Sequence, residues 1–528
     1  MRIARRTSSS WRRATEPLRQ RNERTRSRTA RDFALELARG AVLAGTARRA
    51  SSSPRRVWSG REMERAGGMS AAARGATMKS ACFASLAVML ALASCSSSSP
   101  STHRHPPPTS APDDAERATA QPDVEIAVVR SALERNTTPS LSSSELSTLV
   151  SSQADFAVDL YQAVRKQSDY ADKDLFLSPH SVSIALAMTY AGARGDTAGE
   201  MKKALHFNLP DDRLHTAFDY LDLQLESRGK DAKGKDGEPF RLNVTNSIWG
   251  QQGMKLEGPF LDNLAVNYGA GLNVVDFIRA TEKSRATINA WVEDKTEKRI
   301  KDILPTGVVT QDTRLVLVNA VYFNAAWASV FDPGATKEAP FTKVDGSTVQ
   351  VPMMNRSTSR PYVKGDGYEA VEMPYDDNEL SMLVIAPTAG TFGAFESSLT
   401  GSKLLSILDA LETKEVSLAF PKLKLEGAFS LERSLSSLGM ESAFSSRADF
   451  SGITTAEKLA VTDVLHKTFL ELDERGTEAA AATAVVFERM SAPAEPVAMT
   501  VDRPFLLGIV DRQTKTFVFL GRILEPKL

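Results

Sequence analysis

Residues 473–496 read DERGTEAAAATAVVFERMSAPAEP. Ala479 to Ala482 stand at the top of the helix-propensity scale, so taken alone the run predicts a helix. The flanks argue otherwise. Upstream, Lys458 to Asp473 (KLAVTDVLHKTFLELD) alternates apolar and polar residues as a half-buried strand does, and downstream Pro504 to Ile523 holds two short apolar runs, FLLGIV and TFVFLGRI. The stretch is therefore a long connection between strands. Connections of that length in compact domains are functional or disordered.

Outward from this point the chain orders its elements unevenly. Helical patterns come first, over Ala154 to Arg165, Pro179 to Ala193 and Asp211 to Glu226, with Ser178-Pro179 forming a natural cap and first turn. TINAWVEDKTEKRIKDIL (287–304) is amphipathic. RLVLVNAVYF (314–323) is almost wholly apolar, as a strand covered on both faces must be, and ELSMLVIAP (379–387), EVSLAFPKLKL (415–425) and the C-terminal runs add further strands. Helices early and strands late predict an α+β fold. No break or repeat interrupts residues 149–528, which are expected to form one domain.

With 42% hydrophobic and 25% charged residues the bulk of the chain is globular, and its formal charge of zero gives no reason to expect a nucleic-acid partner. The N-terminal region differs. Residues 1–77 are Arg-rich, contain no Lys and lack periodicity, which fits a mis-assigned start or a disordered extension, with Met78 or Met69 as the true first residue. From Met78, MKSACFASLAVMLALASC has a basic start, an apolar run from Ala81 to Leu92 and small residues before Cys95. That is the pattern of a secretory signal, and the run falls short of the ~20 residues a membrane span needs. Leu92-Ala93-Ser94-Cys95 resembles a bacterial lipobox, so residues 78–94 are read as a lipoprotein signal and Cys95 as the lipidated residue. A protein so processed is exported and held by its lipid, at the outer membrane or cell surface, and is extracellular if the anchor is absent. Residues 95–148, beginning with Cys95 and SSSSPSTHRHPPPTSAPDD, are too polar to fold and form a tether. The chain has two cysteines, Cys82 and Cys95. If one leaves with the signal and the other carries lipid, the folded domain has no thiol, which excludes disulfides, thiolate catalysis and zinc-cysteine sites together.

A catalytic constellation is hard to find. No G-x-S-x-G, H-E-x-x-H or C-x-x-C occurs. The segment Gly229 to Asp236 is the nearest match to a phosphate loop, but it puts Asp where a magnesium-binding hydroxyl belongs and precedes no helix, so it reads as a solvated surface turn. His466 lies in an alternating strand beside Asp463, where a satisfied core histidine fits better than a general base. No cofactor and no metal are expected.

Eight motifs then occur in one order: LFLSPHSVSIALAMTYAGARGDT (175–197), INAWVEDKTEKRI (288–300), LVLVNAVYFNAAW (315–327), VPMM (351–354), YEAVEMPY with ELSMLVIAP (368–387), ADFSGI (448–453), DVLHKTFLELDERGTEAAAATA (463–484), and DRPFLLGIVD with FLGRILEP (502–526). Together they make residues 149–526 resemble the serpins, the serine protease inhibitors. The resemblance implies three β-sheets, about nine helices and an exposed reactive-centre loop at about 474–500. Serpin loop insertion is a recognised case of strand addition. The loop offers a bond to a serine protease, and once cut it enters the largest sheet and carries the acylated enzyme along. Such a protein is a suicide substrate, acts as a monomer, and needs no catalytic residues of its own.

The resemblance also assigns roles. Glu474, Gly476, Thr477, Glu478, Ala479, Ala480, Ala481, Ala482 and Thr483 form the hinge. Because a strand alternates its faces, Thr477, Ala479, Ala481 and Thr483 would point inward and Glu478 and Ala480 outward. Small inward groups pass between strands already in place, whereas a buried charge costs several kcal/mol. Counted from Gly476, the scissile bond falls at Met490-Ser491, with Arg489 as the rival in a register one residue shorter. Met490 suits chymotrypsin-, elastase- or subtilisin-like pockets and Arg489 trypsin-like ones, with cysteine proteases as a further class. Ser178, Ser181, Asn319 and His466 match the shutter beneath the opening sheet, and Trp327 the breach where insertion begins. Lys298 departs from the pattern, standing where many relatives have Gly. A non-inhibitory relative, a lipid-anchored binding protein whose loop never inserts, is the alternative.

Overall fold

The central strand, Leu315–Ala326, is buried along almost its whole length because each of its faces has a separate core to fill. Val316, Val318, Ala320 and Tyr322 pack outward with Ile288 and Val292 of helix Thr281–Lys295, while Leu317 and Leu315 pack inward with the helix Pro179–Tyr190. Val321, Phe323 and Ala325 meet a second sheet. The computed structural model describes residues 126–477 and 495–528, which all belong to one compact unit, Asp113–Leu528.

The large sheet has seven strands in the order Ala127–Val129, Leu272–Val275, Arg241–Gln251, Leu315–Ala326, Gly476–Thr477, Val464–Asp473 and Leu423–Ser430. Its central strand pairs antiparallel with Arg241–Gln251 on one side. On the other it runs parallel to Val464–Asp473, but only from Leu317 to Tyr322. Beyond Tyr322 the two strands part. The remaining strands join in a nine-stranded network, in which the 18-residue strand Thr348–Gly365 pairs first with Lys337–Thr342, then along Glu412–Pro421, and finally with Tyr368–Pro374. The three sheets implied by the resemblance thus share two hydrogen-bonded networks, because one long strand bridges two of them. Among the described residues are nine α-helices, and the α+β expectation holds.

The helix Pro179–Tyr190 is buried on every side, capped by Ser178 with proline in its first turn. Such a helix belongs in the middle of a core. Of the amphipathic segment 287–304 only residues 287–295 are helical, as the end of the helix Thr281–Lys295. It stops where Glu297 and Lys298 take positive φ of 50° and 62°. The strand expected from Lys458 begins at Val464, since Leu459 and Val461 are buried as loop.

The tether, expected to run to residue 148, ends earlier. Ser142 accepts from the Glu145 N–H while the Glu145 carboxylate accepts from that of Ser142, a capping box that starts the first helix at Ser143. Upstream of it, Ala127–Val129 pairs antiparallel with Leu272–Val275. Arg135 reaches Asp219, Asp222 and Glu226 of helix Asp211–Glu226 at 2.8, 2.5 and 2.9 Å. Folded structure therefore extends back to residue 126. Residues 1–125, with Cys95 and the signal segment, lie outside the described residues.

Candidate functional site

At the end of the strand Val464–Asp473 the chain reverses. Asp473 Oδ1 accepts the N–H of Arg475 at 2.8 Å, and Gly476–Thr477 then returns antiparallel beside its own strand, with Leu472 opposite Thr477. The same two residues pair with the central strand, Gly476 opposite Ala326 and Thr477 opposite Ala325. The start of the connection thus fills the wedge where the two long strands separate. Gly476 is required here. Its φ is +152°, and a Cβ at this position would lie 2.1 Å from the carbonyl oxygen of Ala325.

The wedge is held from several directions. Trp327 donates its indole N–H to the carbonyl of Asp473 at 3.0 Å and its main-chain N–H to that of Arg475 at 2.8 Å, and its ring stacks on Tyr375 with centroids 4.6 Å apart. The Tyr375 hydroxyl is 3.0 Å from Thr477 Oγ1, so Thr477 points inward as strand alternation requires. Burial acts to raise the pKa of Glu474. Donors from Lys422 Nζ at 2.7 Å and Thr336 Oγ1 at 2.6 Å outweigh that, and the carboxyl is held below its ordinary value.

Farther down, at the last paired stretch, one row of polar residues crosses three strands: Asn246, Asn319 and His466 are direct cross-strand neighbours. The N–H of Ser178 donates to His466 Nε2 at 2.9 Å, which leaves the ring proton on Nδ1, facing Asn319 Oδ1. Asn319 Nδ2 donates to both Asn246 Oδ1 and Ser181 Oγ, Ser181 donates to Asn246 at 2.7 Å, and Ser178 Oγ donates to the carbonyl of Val518 at 2.8 Å. Burial holds the pKa of His466 down to about 3, so the ring is neutral and fully committed. Asp463 binds the N–H groups of Val464 and Glu432 instead of the imidazole, which rules out the catalytic pairing that sequence adjacency suggested. This cluster ties the strand Leu315–Ala326 to Val464–Asp473 where the two are paired.

The structure therefore assembles Ser178, Ser181, Asn319 and His466 in one place and Glu474, Gly476, Thr477 and Trp327 in another. Glu478, Ala479, Ala480, Ala481, Ala482, Thr483, Arg489, Met490 and Ser491 lie outside the described residues. Sequence reasoning missed Asn246, Tyr375, Thr336 and Lys422. It also misread Gly229 to Asp236. The segment is a loop, as expected, but Lys235 within it is buried, because its N–H is pinned by the Asn324 carboxamide at 2.9 Å on the outer face of the sheet.

The family described as Serpin (serine protease inhibitor) covers residues 151–526. The chain belongs to the serpin family. That family is one of protease inhibitors and not of enzymes. This serpin is 40% identical over 375 residues to an uncharacterized serpin-like protein of Thermococcus kodakarensis, across 70% of this chain and 84% of that one. It is 37% identical over 381 residues to the leukocyte elastase inhibitor of Bos taurus, across 70% of this chain and 97% of that protein. Among solved structures, the thermophilic serpin tengpin in its native state matches with a TM-score of 0.67 at 28% identity, over 76% of this chain and 100% of that one. Human thyroxine-binding globulin, solved with thyroxine, matches at 0.64 and 28%, over 72% and 100%.

Proposed function

We propose that this serpin inhibits serine proteases of the chymotrypsin-, elastase- or subtilisin-like class by suicide-substrate trapping. The protease serine oxygen attacks the carbonyl carbon of Met490, the bond to Ser491 breaks, the new amine leaves with a proton, and the serpin is held as an ester on the enzyme. Insertion of the freed loop into the large sheet then distorts the enzyme before water can hydrolyse that ester. One observation carries this reading: Gly476–Thr477 already pairs with both long strands, Leu315–Ala326 and Val464–Asp473, whose direct pairing with each other ends at Tyr322. Insertion extends a ladder that has been started, which removes the cost of nucleating it. The likeness to leukocyte elastase inhibitors supports the protease class.

Incubation of the purified protein with elastase, chymotrypsin, subtilisin and trypsin tests this on a denaturing gel. The expected result is a covalent complex with one of the first three and a released fragment beginning at Ser491. Clean cleavage with free active protease in every case supports the non-inhibitory binding protein instead. The lipobox at Leu92 to Cys95 supports a second element of the proposal, that the inhibitor works while anchored to a bacterial membrane.

A further inference from the structure

A cleft of about 330 Å³ opens between the turn that follows helix Thr281–Lys295 and the edge of the large sheet. Five cations line it, Lys298, Arg299, Lys301, Lys424 and Lys467, against one carboxylate, Glu426. That imbalance is not background. Basic and acidic residues number 65 each in the chain, and with the Arg-rich residues 1–77 set aside the remainder is net acidic. Cations are concentrated here against the average of the domain, which focuses a positive field on a concave surface.

Local structure does the gathering. Positive φ at Glu297 and Lys298 turns the chain back, and Lys467 Nζ fastens the turn to the sheet by donating to the carbonyls of Lys301 and Asp302 at 2.8 and 2.9 Å. Lys424 comes from the edge strand Leu423–Ser430, which pairs with the strand that carries Lys467. The buried ring of Phe469 also lines the cleft, with Arg299 5.9 Å and Lys424 Nζ 5.6 Å from its centroid, so one aromatic draws in two of the cations.

The neighbouring carboxylates hold these lysines loosely. Glu426 is 3.7 Å from Lys424 and Glu293 is 3.8 Å from Lys301, both among exposed side chains. Glu297 turns to Arg241 at 3.1 Å, Asp302 acts on Lys467, and Glu471 is the cross-strand partner of Lys424. Long contacts between exposed side chains are worth little and yield to a better acceptor. Four of the five cations are lysines, compact point charges without the planar fork that fits a carboxylate, and such charges suit phosphate oxygens. Groups set on three segments of chain call for several phosphates rather than one.

We propose that this cleft binds a multiply phosphorylated anion, free or displayed on lipid headgroups, through Lys298, Lys301 and Lys424, with Lys467 fixing the turn that presents two of them. Binding there does not depend on protease trapping.

Fluorescently labelled inorganic polyphosphate, followed by polarization on the full-length protein, tests the site. Lys298→Gln, Lys301→Gln and Lys424→Gln together should weaken binding about tenfold, whereas the same loss of charge by Lys364→Gln, Lys414→Gln and Lys515→Gln, at exposed lysines outside the cleft, should leave it within about twofold. No loss in the first variant, or an equal loss in both, overturns the site. A footprint on wild-type protein removes any dependence on how the variants fold. Acetylation by an activated ester, read by mass spectrometry, should be slowed at Lys298, Lys301 and Lys424 and not at Lys364. Polyphosphate and vesicles of phosphatidylcholine with phosphatidic acid are separate arms. Protection by polyphosphate assigns a soluble ligand, protection by the vesicles alone assigns a headgroup surface, and protection by neither overturns the proposal.

Discussion

The hydroxyl of Thr477 lies 3.0 Å from that of Tyr375, with both residues fully buried on the inner face of the large sheet. On the proposed mechanism this is the first inward side chain of the connection, and it already stands where insertion would place it. Further insertion requires that position to stay neutral.

Thr477→Arg places a charge against the Tyr375 and Trp327 rings, where desolvation costs several kcal/mol. Each ~1.4 kcal/mol added to the insertion barrier slows it about tenfold, so hydrolysis of the acyl-enzyme wins the race. The variant should be cut at the same bond and release active protease. Wild-type protein should trap the enzyme, and its loop-cleaved form should melt well above the intact form. A Thr477→Arg variant that traps protease stoichiometrically would sink the insertion mechanism.

Acid should weaken the fold through its buried histidines. Burial holds His466 at about 3 and His180 and His215 at about 4, against an ordinary 6.5. Their folded pKa values lie below the unfolded one, so as pH falls below 6.5 the unfolded chain takes up protons that the native state refuses. Stability then drops by about 1.4 kcal/mol per pH unit for each histidine. Asp222, held up at about 6 mainly by burial, works the other way over part of the window and offsets about one of the three. Among the described residues neither ring nitrogen of His180 has a hydrogen-bond partner. His180→Leu should therefore flatten the slope between pH 6 and 4.5 in urea titrations by about one proton, and an unchanged slope would contradict these assignments.

How far the sequence disclosed all this can be judged residue by residue. Thr477 was legible, because alternation fixes its face once the strand is recognised. The helix start at Ser142 was also written locally, as Ser-x-x-Glu, but lay hidden in a Ser-rich run that read as tether. Asn246 and Tyr375 could not be found that way. They reach Asn319 and Thr477 through pairings and packing across 73 and 102 residues, which no local pattern encodes. Lys235 was misleading, since a Gly- and Lys-rich turn looks solvated until a distant carboxamide pins it to the sheet.

The anchor is tested at Cys95. Multiple acyl chains hold a protein stably where one is marginal, so wild-type protein made in its own host should take up a fatty-acid analogue and fractionate with membranes. Cys95→Ala should be unlabelled. Ser96 rather than Asp after the cysteine leads us to expect the outer membrane in a Gram-negative host, and label confined to the inner membrane would reverse that assignment.

The scissile register turns on sulfur chemistry. Oxidation of Met490 to its sulfoxide makes an apolar side chain polar, and should weaken inhibition of elastase- or chymotrypsin-like enzymes only if that side chain fills the specificity pocket. Mass spectrometry of the released fragment decides independently. A fragment starting at Met490 transfers the role to Arg489 and moves the target class to trypsin-like enzymes.

Lys298 occupies a left-handed conformation, φ 62°, directly after Glu297 at φ 50°, at the end of the helix that covers the outer face of the large sheet. Its main-chain N–H closes the turn onto the carbonyl of Glu293 at 2.7 Å, so the conformation is imposed by the fold. An L-residue there carries a penalty of about 1–2 kcal/mol that glycine escapes, while glycine loses more backbone entropy on folding. The balance favours Lys298→Gly by about 0.5–1 kcal/mol, since the lysine side chain is exposed. The gain should appear in the urea midpoint. A variant that is less stable than wild type would mean that the exposed side chain, and not the backbone, sets the energy of this turn.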